Sequence, residues 1–118
     1  MAGETRISSP EQAVMDALNK LGWADEYIFQ YSVAGGHQFR GGVVIDFFIQ
    51  SLNLAIEVQG EYYHYGKGLE VTLNDKIKRQ LLEGMGITVI YIDEFDALED
   101  ADFYVSEALA FRDWSKER

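Results

Sequence analysis

Asp46 interrupts the apolar run Val43-Val44-Ile45-Asp46-Phe47-Phe48-Ile49. Burying an unpaired carboxylate costs several kcal/mol, so either a compensating cation stands beside Asp46 or the residue faces water at a strand edge. A second acid follows in Leu54-Ala55-Ile56-Glu57-Val58-Gln59, where alternation puts Glu57 and Gln59 on one face and Leu54, Ile56 and Val58 on the other. If the two runs pair as a hairpin, Asp46 and Glu57 approach each other and offer oxygen donors at the end of a sheet. Such donors suit Mg²⁺ or Mn²⁺, which takes one or two carboxylates and keeps waters for chemistry. A solvated polar face on an antiparallel sheet gives the same alternation.

Composition narrows the choice of ion. The chain has 118 residues, no Cys and two His, which excludes disulfides, thiolate nucleophiles, sulfur-ligated zinc and a three-histidine site. Carboxylates must dominate any metal site, and they favour hard ions. A net charge of −10 opposes nonspecific binding to nucleic acid and anionic membranes. Basic residues are densest at Lys76, Lys78 and Arg79, whereas six acids fall between positions 93 and 102, where a solvated charge run is expected. With 47% apolar residues, 16 aromatic residues and one Pro, the chain reads as a single globular domain over 1–118. The start carries no signal-like segment and no run is long enough to span a membrane, so a cytoplasmic protein is expected.

The elements that hold these residues follow from local signals. Ser9 as N-cap, Pro10 and Gln12 predict a helix over about 10–21 with Val14, Leu18 and Leu21 inward. Tyr27 to Val33 and Val43 to Ile49 read as strands joined by a glycine-rich loop, and Leu54 to Gln59 reads as a third. Thr72 is the expected cap of a second helix whose inward face carries Leu73, Ile77, Leu81 and Met85. A fourth strand over Ile87 to Ile92 and a C-terminal helical segment, about 93–118, complete the order αβββαβα.

In this order, Asp46 followed eleven residues later by Glu57-Val58-Gln59 resembles the PD-(D/E)xK nuclease superfamily, with Gln59 where many members have Lys. Ile56-Glu57-Val58-Gln59-Gly60-Glu61-Tyr62-Tyr63-His64 is more specifically similar to the branch of very-short-patch repair and EDxHD homing endonucleases. Asp75-(x)₃-Arg79-(x)₆-Gly86-Ile87-Thr88-Val89-Ile90 matches its helix-to-strand segment. The resemblance covers about residues 10–92. It implies an α/β, three-layer, restriction-endonuclease-like αβββαβ core with a mixed central sheet, followed by the C-terminal helix. It places the pattern's residues on Glu11, Asp46, His64 and Asp75, with Mg²⁺ or Mn²⁺ as cofactor and DNA as substrate. The chain lacks the repair enzymes' zinc site and has Gln59 where they carry a second His.

The expected function is metal-dependent hydrolysis of DNA phosphodiesters. Asp46 is the main metal ligand, with Glu57, Gln59 or the Val58 carbonyl completing the shell. Glu11 holds a water, and His64 is the general base or acid oriented by Asp75. Tyr62 and Tyr63 are candidates for base stacking, and Arg40, Lys76, Lys78 and Arg79 for phosphate contacts. Each residue also has a plainer explanation: dipole compensation for Glu11, capping for Asp75, loop stacking for His64, a solvated helix face for the basic cluster. His37 has no motif around it. Beside the nuclease stands an inactive nuclease-fold binding or structural module, or an acidic DNA mimic. A protein partner or a homodimer is left open.

Overall fold

The first helix starts one residue earlier than its sequence signals suggest. In the computed structural model, which describes residues 7–35, 39–60 and 69–116, Ser8 is the N-cap of α1 (Ser9–Lys20). The Ser8 hydroxyl accepts from the Glu11 amide at 3.3 Å, and Glu11 Oε1 accepts from the Ser8 amide at 2.9 Å. This reciprocal capping box uses Glu11, not the expected Gln12. Val14, Ala17 and Leu18 form the buried stripe, while Leu21 is the exposed C-cap.

Four strands follow in the order β1 (Ile28–Gly35), β2 (Phe39–Ile49), β3 (Leu54–Gln59) and β4 (Thr88–Asp93), and they lie in that order in one sheet. The first two junctions are antiparallel and β3 pairs parallel to β4. A 3₁₀ turn, Gln50–Leu52, joins β2 to β3 and closes on Asn53 at φ +48°, a left-handed conformation that Asn tolerates better than most residues.

Between β3 and β4 runs α2 (Leu69–Gly84). It begins before Thr72, which is therefore an interior residue and no cap. Its packing stripe also differs from the expected one: Ile77 and Met85 are exposed, whereas Leu82 is fully buried. The stripe that meets the sheet passes through Asp75, Lys78 and Leu82, a spacing of i, i+3, i+7. Beyond the helix end at Gly84, Gly86 takes φ +83° and the Ile87 amide donates back to the Leu82 carbonyl at 3.0 Å.

The acidic run at 93–102 is not merely solvated chain; it opens α3 (Glu94–Leu109). This helix kinks at Asp100, whose Oδ1 accepts from the Phe103 amide at 3.2 Å and so caps the second half. Beyond α3 the chain returns along β4, where the Asp113 carboxylate accepts from the Tyr91 amide at 3.1 Å and Asp93 Oδ2 from the Lys116 amide at 3.1 Å. Those contacts occupy part of an otherwise open sheet edge.

The sheet separates two cores. On one side α1 and α3 pack over Phe47, Ile49, Leu54, Ile56, Ile90 and Ile92. On the other, Leu82 of α2 packs with Ile45, Phe48, Ala55, Ile87, Val89 and Tyr91. The result is an α/β three-layer arrangement with a mixed four-stranded sheet and a C-terminal helix. Among the described residues, no helix is long and apolar enough to cross a membrane.

Candidate functional site

Strand alternation fails at Asp46. Ile45 and Phe47 are two residues apart, yet they belong to different cores, as do Tyr31 and Phe29 on β1. Gln30, opposite Asp46, has φ +53° and is skipped in the β1–β2 register. The β2–β3 ladder likewise stops at the pair Phe47 and Ile56. Past that point the strands are joined by side chains. The Asp46 amide donates to Glu57 Oε2 at 2.7 Å, and the Val58 amide donates to Asp46 Oδ2 at 2.9 Å.

The exchange turns the two carboxylates apart. Asp46 lines a cavity of about 380 Å³ together with Ser8, Pro10, Glu11, Val58, Gly60 and Glu94, where the N-termini of α1 and α3 meet the end of the sheet. Glu57 is almost completely buried and forms an ion pair with Lys78 of α2. Its strand neighbour Gln59, also buried, donates from Nε2 to Asp75 Oδ2 at 3.1 Å. The expected approach of Asp46 and Glu57 is thus present, but through an amide.

Burial dominates the electrostatics. It pushes the Asp46 carboxyl up to about 7, with the Glu57 charge adding to the rise; the Val58 amide and Lys78 oppose it, and Glu11 adds a smaller upward push. Glu57 is raised by burial as well, against the pull of Lys78 and of the Asp46 amide. A half-buried carboxyl that resists its own charge, open to a cavity, favours a cation there. Asp46, Glu11 and Glu94 are the acids that line the cavity, beside Val58. Their oxygen chemistry fits a hard divalent ion that retains waters. Among the described residues, no group of three or more His, Cys, Asp or Glu is placed to hold a metal ion.

The expected site residues therefore divide. Glu11, Asp46 and Val58 come together at the cavity; Glu57, Gln59, Asp75 and Lys78 come together between β3 and α2. Lys76 is exposed, while Arg79 pairs with Glu83 at 3.2 Å and lies 5.4 Å from the centre of the Tyr91 ring. Tyr62, Tyr63 and His64 lie outside the described residues, as do His37 and the side chain of Arg40. Glu94, which also lines the cavity, was missed by sequence reasoning, since nothing in an acidic run distinguishes one acid from the next.

No family model matches the sequence, and no curated protein matches it. Among solved structures, the chain is similar to the homing endonuclease I-Bth0305I catalytic domain, with a TM-score of 0.61 and 21% identity over 89% of this chain and 97% of that one. The likeness establishes a shared fold, that of a nuclease catalytic domain.

Proposed function

We propose that the chain is a metal-dependent endonuclease that hydrolyses DNA phosphodiesters at the Asp46 cavity. The observation that carries this reading is the placement of Asp46: a half-buried carboxyl held by the Val58 amide, opening on a cavity beside Glu11, within a fold similar to a homing endonuclease catalytic domain. In the EDxHD pattern that the sequence resembles, Asp46 and Glu11 are the two residues expected to meet at such a site.

Asp46 and the Val58 carbonyl would hold the Mg²⁺ or Mn²⁺. When bound, that ion supplies Lewis-acid polarisation of the phosphate and lowers the pKa of water. Glu11, with Oε1 fixed by the Ser8 amide, orients a water at the cavity wall. His64 transfers the proton. Asp75, whose Oδ2 accepts from Gln59, is assigned to orient that imidazole, as in the EDxHD pattern. Lys76, Arg79 and Arg40 contact phosphates, and Tyr62 and Tyr63 stack on bases. Lys78 is committed to Glu57 and is not among the phosphate contacts. A net charge of −10 leaves few such contacts, so DNA affinity is weak and salt-sensitive unless a partner protein or a second copy contributes.

The decisive experiment is cleavage of supercoiled plasmid and of single-stranded and branched DNA, with and without Mg²⁺ or Mn²⁺. Metal-dependent cleavage by the parent and none by Asp46→Ala supports the proposal. No cleavage of any substrate with either ion would replace it with a nuclease-fold binding module.

A further inference from the structure

The side chains between β3 and α2 form a register. Along β3, Ala55, Glu57 and Gln59 share one face; along α2, Leu82, Lys78 and Asp75 share one stripe. The strand and helix are matched rung by rung. Leu82 sits in the same core as Ala55, the Lys78 ammonium pairs with Glu57, and Asp75 accepts from Gln59 at 3.1 Å. Only the middle rung reaches through the sheet to Asp46, because Glu57 Oε1 is held by Lys78 while Oε2 accepts from the Asp46 amide at 2.7 Å.

That amide sits where the β2–β3 ladder has stopped, so no ladder carbonyl fixes it. Without an acceptor, the Asp46 backbone could return to ordinary strand geometry, and alternation would then move its side chain relative to Glu11 and Val58. Glu57 has few other ways to serve. It does not line the cavity, and it is only 6% exposed. An ion pair this buried is weak support for stability in itself, since apolar replacements of similar volume are often neutral. Its geometry is what distinguishes it.

We infer that Glu57 and Lys78 are positioning residues: Lys78 fixes the Glu57 carboxylate, and Glu57, through its bond to the Asp46 amide, holds the Asp46 carboxylate in the cavity where divalent metal is taken. This inference rests on the proposed metal site at Asp46. Through the pair, α2 sets the metal affinity of a cavity built by α1, α3 and the sheet end, without touching the ion.

The test compares two charge-free pairs by calorimetric titration with Mn²⁺ alone. Glu57→Gln/Lys78→Gln keeps a carbonyl acceptor at position 57 and a hydrogen-bonding partner at 78, whereas Glu57→Met/Lys78→Met fills similar space with no acceptor. Partners in the outer shell of a metal site typically change affinity by about 10- to 100-fold. A loss of that size is expected in the Met pair, with Mn²⁺ affinity in the Gln pair staying near that of the parent. Circular dichroism checks folding of each variant. Equal retention by both pairs overturns the inference. Equal loss by both also overturns it, since Glu57 is then itself a ligand or the ion pair acts only through its charge. If the Met pair does not fold, Glu57→Ala/Lys78→Gln, which also lacks an acceptor at position 57, takes its place: a loss of about 10- to 100-fold relative to the Gln pair upholds the acceptor role, and an affinity equal to that of the Gln pair ends it. If the parent binds no Mn²⁺, the metal site itself has failed, and that result is distinct from all of these.

Discussion

The Asp46 amide donates to Glu57 Oε2 at 2.7 Å although the two carboxylates face different sides of the sheet, one a cavity beside α1 and the other a lysine on α2. One bond therefore links the two layers of helix. It also marks the point where the β2–β3 ladder gives way to side chains.

Metal binding should depend on Asp46 more than on any other acid. Asp46→Ala is expected to abolish the calorimetric signal with Mg²⁺ or Mn²⁺ and the rise in melting temperature that the ions give the parent. Glu94→Gln, which leaves the Asp46–Val58 bond in place, should weaken binding less. Unchanged titrations of the Asp46 variant would remove that residue from the site.

The raised Asp46 carboxyl makes the metal-free protein sensitive to pH in a defined direction. The ordinary value is 3.8 and burial, followed by the Glu57 charge, pushes it up to about 7. Between these values the folded state keeps a proton that the unfolded chain has lost, so stability from this group is complete below 3.8 and declines as pH rises through about 7. Melting temperatures of the parent should therefore fall relative to Asp46→Asn from about pH 4 to about pH 7 and run parallel above it. Curves that run parallel throughout would contradict the desolvated placement of Asp46.

Leu82 anchors α2, and with it the Glu57–Lys78 pair. Leu82→Ala should destabilise by about 2–5 kcal/mol, as expected for a fully buried leucine. Ile77→Ala, on the face that periodicity assigns to the core but the structure exposes, should cost far less. Urea unfolding of both variants decides between the two faces.

Lys76 and Arg79 are the proposed phosphate contacts on α2. Replacing both by Ala should weaken duplex binding and reduce the salt slope by about 0.9 for each phosphate no longer neutralised. Arg79 is expected to contribute less than Lys76, because its guanidinium is already shared between Glu83 and Tyr91. An unchanged slope means that DNA is held by another surface or by a partner.

General acid–base catalysis typically contributes about 10²- to 10⁴-fold, so His64→Ala should lose roughly that much single-turnover cleavage while keeping its Mn²⁺ affinity. Asp75→Asn should lose less, and the double variant should be little worse than His64→Ala, since groups acting as a unit are not additive. Cleavage at the parental rate without His64 would remove it from the mechanism.

The sequence by itself determined the order of elements and the residues with unusual chemistry. Period-two and helical patterns, glycines at turns and an acid within an apolar run depend on neighbours a few positions apart, and these local signals carried through to Asp46 on β2 and Glu57 on β3. Glu11 was named only through the resemblance to the EDxHD pattern, and the local capping signals pointed to Ser9 and Gln12, because Ser8 and Ser9 are chemically equal until the chain direction into the helix is set. Only the tertiary structure decided which way the carboxylates turn. Alternation predicts side-chain direction for a regular strand, and it fails where Gln30 takes a left-handed conformation and the ladder at Asp46 is handed to side chains. Lys78 looked like a surface cation because nothing along α2 encodes what lies opposite; the docking of Leu82 sets that register. Glu94 entered the cavity for the same reason: the end of β4 and the start of α3 fix where an otherwise ordinary acid comes to rest.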